Sequence, residues 1–424
     1  MSSDKVKSIR LEHPDRVPVS LGILPSAWLK HGRALERIAD RYPLLFANPL
    51  KGERDYAGLV KGTYAAGTHV DAWGCVWENA HHGQEAIVTR HPVPTREGVR
   101  TLRAPAIDAG LPHGFMYLRL ADLRGFEELM VDFAEEPPEL QMLIDVVLDY
   151  NARQVKLLLE RRDPGTADEP TILYFGDDLG MQTSLPMSPD VWRRYLKPCY
   201  ATLYGMCKER GYIVYMHTDG HILEIIPDLI ECGVDVINPQ YRANGLEQLV
   251  AVCKGRVCVD LDLDRQLFPF CTPADIRDHI LGAVEAFGSP EGGLWLKAEV
   301  DDGVPLENVD AICSTLMEAR EYFGRRRRRY ATRGGWCSGS RRSERRKKPV
   351  KPIDVATHDR MRGVKAAEQE VDAHPVVLHL NEVAAEVPEA HELPKTRQIL
   401  VRYQSFPNAR DRQVHLLQKV CVPL

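Results

Sequence analysis

The 424-residue sequence lacks any apolar run of the roughly 18 residues that a membrane-spanning helix needs. Its N-terminus, Met1 to Lys7, lacks the apolar stretch of a secretory signal, so we expect a cytoplasmic location and no membrane partner. Ten cysteines occur without a single Cys-x-x-Cys pair, which argues against a zinc ribbon, an iron–sulfur centre or a disulfide framework. What is present, 44% hydrophobic and 27% charged residues, is typical of a soluble globular protein with a large core.

Charge of one sign is concentrated in one segment. Residues 325–351 hold 13 Lys or Arg and one acid, which gives this segment a net charge of +12. Because the whole chain has a net charge of -5, the remaining residues sum to -17. A protein built throughout to bind nucleic acid would spread basic residues over one face, so we expect no nucleic-acid partner. The basic run favours a solvated tail over a nucleic-acid or membrane-surface patch.

Between about residues 165 and 310, short β-branched or aromatic runs alternate with amphipathic stretches. This alternation is typical of βα units on a parallel sheet. Thr272 before Pro273 predicts a helix start, with an N-cap and a proline at the first helical position. The predicted strands are Thr171–Gly176, Tyr212–Met216, Val234–Asn238, Val257–Leu261 and Leu294–Lys297.

Two further strands are predicted upstream, at Val17–Leu21 and Phe115–Leu118, and residues 139–162 have the apolar spacing of a long helix. Seven strands approach the eight of a (β/α)8 barrel, which is the predicted fold. An open doubly wound sheet stays possible, but no Gly-x-Gly-x-x-Gly turn supports a dinucleotide site. We predict a barrel domain over residues 1–324 and a poorly ordered, low-complexity basic tail over 325–424.

Nearly every predicted strand ends in polar or ionisable residues, where a barrel or an open α/β sheet places its ligand-facing groups. A single aspartate before a helix is most often an N-cap, but five successive strands that end this way predict a site. Adjacent side chains of an extended chain point apart, so at most one of Asp177 and Asp178 should reach that site. The residues are Asp177, Asp178, His217, Asp219, Asn238, Gln240, Asp260, Asp262, Asp264 and Glu299.

The densest cluster is His217-Thr-Asp219-Gly-His221. If the backbone stays extended, His217 and Asp219 face one pocket, and an imidazole with a carboxylate is a partial shell for zinc or another divalent ion. The spacing fits equally a histidine that caps a helix and hydrogen-bonds a neighbouring carboxylate. His221 begins the next predicted helix and is expected to be structural.

Several motifs carry a resemblance to a known family. They are Val-Asp-Ala-Trp-Gly-Cys-Val-Trp-Glu-Asn at 70–79, Gly-Asp-Asp-Leu-Gly-Met-Gln at 176–182, Ser-Pro-Asp-Val-Trp-Arg-Arg-Tyr-Leu-Lys-Pro at 188–198, His-Thr-Asp-Gly at 217–220, Gly-Val-Asp-Val-Ile-Asn-Pro-Gln at 233–240 and Gly-Val-Pro-Leu-Glu-Asn-Val at 303–309. Over about residues 10–324 the sequence resembles the uroporphyrinogen decarboxylase superfamily. Its members are (β/α)8 barrels that include the haem-pathway decarboxylase and zinc-dependent methyltransferases acting on methylated corrinoid proteins.

Two departures from the family pattern separate its branches. The decarboxylase carries Arg-Gln-Ala-Gly-Arg-Tyr near its N-terminus to bind substrate carboxylates, and residues 1–60 have no counterpart. The methyltransferases carry His-x-Cys-Gly and a later Cys as zinc ligands. Here His217 is kept, Asp219 replaces the first Cys, and the later position falls near Glu299.

The resemblance implies, as the favoured reading, a zinc-dependent methyltransferase in which His217, Asp219 and Glu299 hold the metal. A methylated corrinoid would be the donor, and the substrate a small molecule or a corrinoid protein. The candidate catalytic residues are Asp177, His217, Asn238 and Gln240. Of these, Asp177, Asn238 and Gln240 would orient the substrate or the partner. The alternatives are a decarboxylase of uroporphyrinogen or a related carboxylic acid, in which Asp177 or Asp178 bonds pyrrole N–H groups, and a non-catalytic tetrapyrrole- or corrinoid-binding protein.

Overall fold

The computed structural model describes residues 2–46 and 55–323, together with two strands near the C-terminus. The chain divides into two compact units, Met1–Ser340 and Arg341–Leu424. In the second unit the described strands, Thr396–Leu400 and Lys419–Pro423, pair antiparallel. The rest of the tail predicted over 325–424 lies outside the described residues, so that part of the domain prediction stays a prediction.

The first unit is an α/β structure with a six-stranded parallel sheet. Its described strands are β1 (Val19–Ile23), β2 (Gly67–Val70), β3 (Val76–Asn79), β4 (Ile87–Arg90), β5 (Ile172–Gly176), β6 (Ile213–Thr218), β7 (Val236–Pro239), β8 (Cys258–Asp262) and β9 (Leu294–Val300). Six of them form a curled sheet in the order β1-β9-β8-β7-β6-β5, in which every pair is parallel. The other three form a separate antiparallel sheet, β2-β3-β4.

The described helices follow the strands in alternation from β5 onward. They are α1 (Asp4–Ile9), α2 (Pro25–His31), α3 (Arg33–Arg41), α4 (Arg96–Val99), α5 (Tyr117–Arg124), α6 (Phe126–Glu135), α7 (Pro138–Arg161), α8 (Pro189–Tyr195), α9 (Lys197–Glu209), α10 (Ile226–Glu231), α11 (Tyr241–Asn244), α12 (Leu246–Cys253), α13 (Pro273–Phe287) and α14 (Leu306–Arg320). Single 3-10 turns lie at Ala57–Leu59, Gly62–Tyr64 and Leu223–Ile225. Among these, none is both long and apolar enough to cross a lipid bilayer.

Local sequence signals account for several of these boundaries. Helix α13 begins as predicted, because Thr272 and Asp275 form a capping box and Pro273 occupies the first turn. The long helix predicted over 139–162 is α7. The five central strands are confirmed with bounds that differ by at most three residues, and the upstream strand at Val17–Leu21 is found two residues later as β1.

The prediction of a second upstream strand over Phe115–Leu118 is wrong. Phe115 and Met116 lie in a loop, and Tyr117 begins α5. The backbone N–H groups of Met116, Tyr117 and Leu118 all donate to the Asp177 carboxylate, which fixes a helix start where aromatic content predicted a strand. The α/β class is therefore confirmed, while the residues that the structure describes supply six of the eight strands that the predicted barrel requires.

The two faces of the parallel sheet have different surroundings. Val214, Leu261 and Leu296 belong to the main hydrophobic core, together with side chains of the helices. On the opposite face, Tyr215 and Trp295 belong to a second, smaller cluster with Ile213, Val236 and Cys258. Side chains alternate along a strand, so the polar residues further along that second face point the same way as this small cluster.

Candidate functional site

The candidate site lies at the carboxyl ends of β5 to β9. Gly176 of β5 is in register with His217 of β6, and His217 with Asn238 of β7. Next to them in the sheet, Asp262 of β8 is in register with Lys297 of β9. The polar ends of neighbouring parallel strands therefore meet at one edge of the sheet, where α/β proteins bind their ligands.

Two histidines and one aspartate converge at this edge. His113 Nε2 lies 3.2 Å from Asp178 Oδ1, and His217 Nε2 lies 3.8 Å from the same oxygen. One ligand atom from each of the three residues lies within 4.8 Å of the others, so the group could hold a metal ion. The hydrogen bond to Asp178 raises the pKa of His113 to about 9, although burial works in the opposite direction.

The loop before α5 brings His113 to the cluster. The Gly114 N–H donates to the Gly176 carbonyl at 2.8 Å and ties this loop to the end of β5. A Cβ atom on Gly176 would collide with the His113 ring, so this strand end needs glycine. His113 was not among the predicted site residues, because no motif or strand end surrounds it.

Asn238 sets the orientation of His217. Its Oδ1 lies 2.7 Å from His217 Nδ1, and its amide nitrogen donates to the Asp260 carbonyl, so the buried Asn238 is held from both ends. A proton on Nδ1 leaves the Nε2 lone pair directed toward Asp178. Burial and the nearby Lys297 ammonium lower the pKa of His217, which favours the neutral imidazole.

Asp219 joins the cluster from the loop after β6. Its Oδ1 lies 3.4 Å from His217 Nε2 and has no hydrogen-bond partner among the described residues. Its Oδ2 accepts from Arg265 at 2.7 Å. Burial raises the pKa of Asp219, and repulsion from Asp178 adds to the rise.

Glu299 is separated from this histidine cluster by a guanidinium group. Arg265 donates through Nη1 to Glu299 Oε1 and through Nη2 to Asp219, so one arginine bridges the two predicted metal ligands. Of the predicted ligand set, the structure brings together His217 and Asp219. Arg265 was not predicted, because it lies beyond the end of β8 in a loop without a recognised motif.

The loops after β5 and β6 hold each other in place. The Asp219 N–H donates to Asp178 Oδ1 at 2.9 Å, and the Gly180 N–H donates to the Asp219 carbonyl at 3.1 Å. A Cβ on Gly180 or Gly220 would collide with the facing backbone, and Gly220 has a φ of +83°. Gln240 Oε1 accepts from the Gly220 N–H at 3.0 Å, which places Gln240 as a support for this loop.

Asp177 points away from the cluster, as expected for the neighbour of Asp178. It is fully buried and accepts hydrogen bonds from the backbone N–H groups that open α5 and from the Tyr200 hydroxyl at 2.7 Å. These four donors occupy its carboxylate, which favours a structural role over contact with a substrate. The prediction that Asp177 is catalytic stays a prediction.

The antiparallel sheet also approaches the site, through the turn between β3 and β4. Partial burial raises the pKa of Glu85, and the carboxylates of Asp178, Asp219 and Glu299 add to the rise. Glu85 therefore lies within electrostatic reach of the cluster, although no sequence motif distinguished it.

Comparisons with known proteins give a fold likeness. No protein-family model and no curated protein sequence matches this chain. Among solved structures, a methyltransferase from Methanosarcina mazei is similar, with a TM-score of 0.50 and 17% sequence identity. The match covers 75% of this chain and 99% of that chain. At this identity the likeness shows a shared fold.

Proposed function

We propose that this chain is a zinc-dependent methyltransferase of the uroporphyrinogen decarboxylase superfamily, in which His113, Asp178 and His217 hold the metal and a methylated corrinoid is the donor. The observation that carries the proposal is the convergence of two imidazole nitrogens and one carboxylate oxygen within 4.8 Å at the carboxyl edge of the sheet. The fold shared with a methyltransferase supports the reaction class at a coarse level.

The donor set has the chemistry of a zinc site. Histidine nitrogen and carboxylate oxygen are common zinc ligands, and catalytic sites use three protein ligands with one open position. Asn238 supplies the outer hydrogen bond that ligating histidines usually have, at 2.7 Å from His217 Nδ1. The unpartnered Oδ1 of Asp219 adds a further donor 3.4 Å from His217 Nε2.

This set differs from the predicted set of His217, Asp219 and Glu299. Because Arg265 bridges Asp219 and Glu299, a cation already stands between those two carboxylates. We therefore assign to Glu299 the role of holding Arg265. We assign to Asp219, which lies beside His217, the role of facing the open coordination position of the metal. Asn238 and Gln240 keep the imidazole and the Gly220 loop in place.

When bound, zinc supplies a Lewis acid that lowers the pKa of a thiol or a similar acceptor and so makes it nucleophilic. A methylated corrinoid would supply the methyl group to the acceptor sulfur, and the electron pair of its carbon–cobalt bond would remain on cobalt. Asp219 would take up the acceptor proton, because its Oδ1 has no hydrogen-bond partner among the described residues and burial raises its pKa.

The charge of the site favours this reading over the decarboxylase alternative. Asp178, Asp219 and Glu299 line it, and Arg265 is already engaged by two of these carboxylates. A tetrapyrrole with several carboxylates needs several free cationic partners, whereas the described part of this lining offers Arg265, which is already paired, and Lys297. Release of carbon dioxide from uroporphyrinogen would reverse this preference.

Metal content measured by elemental mass spectrometry on the full chain tests the proposal. We expect about one zinc per chain in the wild type, lost in His113→Ala and in His217→Ala. His69→Ala, an exposed histidine on β2, is the matched control and should retain zinc. Loss of zinc in Glu299→Gln but not in His113→Ala would show that the set predicted from the sequence is the correct one.

The reaction is tested with methylcobalamin as donor and a thiol as acceptor, followed by the change in corrinoid absorbance. We expect demethylation by the zinc-loaded wild type and at least a hundredfold slower reaction in His217→Ala. Full activity of a folded, metal-free wild-type preparation would overturn the proposal. Binding of methylcobalamin without turnover would instead support the non-catalytic reading.

A further inference from the structure

A narrow cleft lies beside the histidine cluster. The loops after β7 and β8 form its walls, and Gln182 from the loop after β5 contributes a third side. Its polar lining includes Gln240, Tyr241, Asp262 and Arg265. Arg265 also contacts Asp219, so the cleft is adjacent to the proposed metal site.

Asp262 is an unusual member of this lining. Its side chain is 1% exposed, and neither carboxylate oxygen has a hydrogen-bond partner among the described residues. Arg265 Nη2 lies 3.7 Å from Oδ2, beyond hydrogen-bonding distance. Buried carboxylates in folded proteins are normally hydrogen-bonded, so two unpartnered oxygens at a cleft indicate that a ligand completes them.

The cations around the cleft make their hydrogen bonds to groups other than Asp262. Arg242 makes contacts of 2.9 and 2.8 Å with the Asp264 carboxylate, and Arg265 bridges Asp219 and Glu299. Lys297, the register neighbour of Asp262, lies 3.4 Å from Asn238 Oδ1. Burial raises the pKa of Asp262 to about 7 even though Lys297 and Arg265 act to lower it, which agrees with an incompletely satisfied carboxyl group.

We propose that this cleft is a substrate subsite for a protonated amine or an amidinium group, whose N–H groups donate to the two oxygens of Asp262. Such a group supplies the paired N–H donors that the carboxylate lacks. Gln182, Gln240 and Tyr241 offer amide and hydroxyl groups to the rest of a small polar head group. The inference rests on the proposed methyltransferase function, in that the amine belongs to the methyl acceptor.

Binding of small probes to the full chain tests the subsite without turnover or metal. Saturation-transfer NMR on chelator-treated protein would compare propylamine and acetamidine with propanol and propionate, which match them in size. We expect the two cations to bind at least tenfold more tightly than the neutral and anionic probes. Asp262→Asn should lose this difference, whereas Asp278→Asn, which removes the same charge from an exposed position on α13, should keep it.

A second measurement covers the case in which Asp262→Asn does not fold. In the wild type, the backbone amide signals of residues 240–243 and 262–266 should shift on titration with acetamidine. Equal binding of all four probes, unchanged cation binding in Asp262→Asn, or shifts confined to other segments would overturn the proposal. Loss of zinc binding in the earlier test leaves these readouts unaffected, so failure of the subsite and failure of the metal site are distinguishable.

Discussion

At the scale of single residues, two identical side chains that are adjacent in the sequence have different roles because their surroundings differ. Asp177 and Asp178 are adjacent, yet they leave the strand in opposite directions. Asp177 is fully buried and occupied by four donors, whereas Asp178 lies between His113 and His217. Burial would raise the pKa of Asp178, but the hydrogen bond from His113 and the charge of that residue lower it, which keeps Asp178 ionised as a metal ligand requires.

Asp122 makes the stability of the first unit depend on pH. Burial raises its pKa to about 7, and Asp71 adds to the rise while Arg119 opposes it. Because the folded pKa lies above the unfolded value, the native state binds more protons between about pH 4 and 7, and stability falls as the pH rises through this window. Asp122→Asn removes this titration, so its stability relative to wild type should improve by about 2 to 3 kcal/mol between pH 5 and 8.

Urea unfolding at both pH values measures this difference. Asp278→Asn, at an exposed position, should show no change with pH relative to wild type. A constant offset between Asp122→Asn and wild type across the range would contradict the prediction.

At the scale of elements, the start of α5 shows how tertiary contacts override local propensity. Phe115 to Leu118 is apolar and aromatic, a composition that predicts a strand. The Asp177 carboxylate, about sixty residues away in the chain, accepts the first N–H groups of the helix instead. These donors would otherwise be buried without partners, which is the condition that a cap relieves.

Asp177→Asn should therefore destabilise the protein by about 2 to 3 kcal/mol, because an amide presents donors where three backbone N–H groups point. Asp190→Asn, in the first turn of α8 and 87% exposed, should change stability by less than about 0.5 kcal/mol. Denaturant unfolding gives both values. Lost turnover in Asp177→Asn at unchanged stability and zinc content would instead show that Asp177 is catalytic.

At the scale of the whole molecule, the first unit contains every residue of the proposed metal site. The ligands come from segments as far apart as His113 and His217, and parallel strands bring their carboxyl ends to one edge. The five central strands were predictable because short β-branched or aromatic runs alternate with longer helical stretches in this part of the chain.

A chain that ends at Ser340 should retain the fold and the metal. All six parallel strands and all described helices lie before this point. We expect its Tm to stay within about 2 °C of the full chain, with unchanged zinc content. A chain that ends at Pro305 should not unfold cooperatively, because it loses α14 and its buried Val309, Ile312 and Leu316. Loss of a cooperative transition in the Ser340 chain would contradict the prediction.

Sequence patterns alone predict the α/β class, the long helix α7, the capped start of α13 and the strand ends where polar residues gather. Each of these follows from signals within a few residues of one another, such as periodicity, a capping box or a proline at the first turn. The sequence also identified His217 and Asp219 as neighbours, because two positions along an extended strand face the same side.

Which of the candidate side chains contact one another depends on the tertiary structure. Arg265 separates Glu299 from the cluster, His113 enters from a loop that carries no motif, and Asp177 turns to cap α5. Charge pairing and capping depend on partners tens of residues apart, whose distance is set by strand register and loop packing rather than by spacing in the chain. Local sequence patterns therefore predict where the site lies, whereas long-range contacts determine which side chains form it.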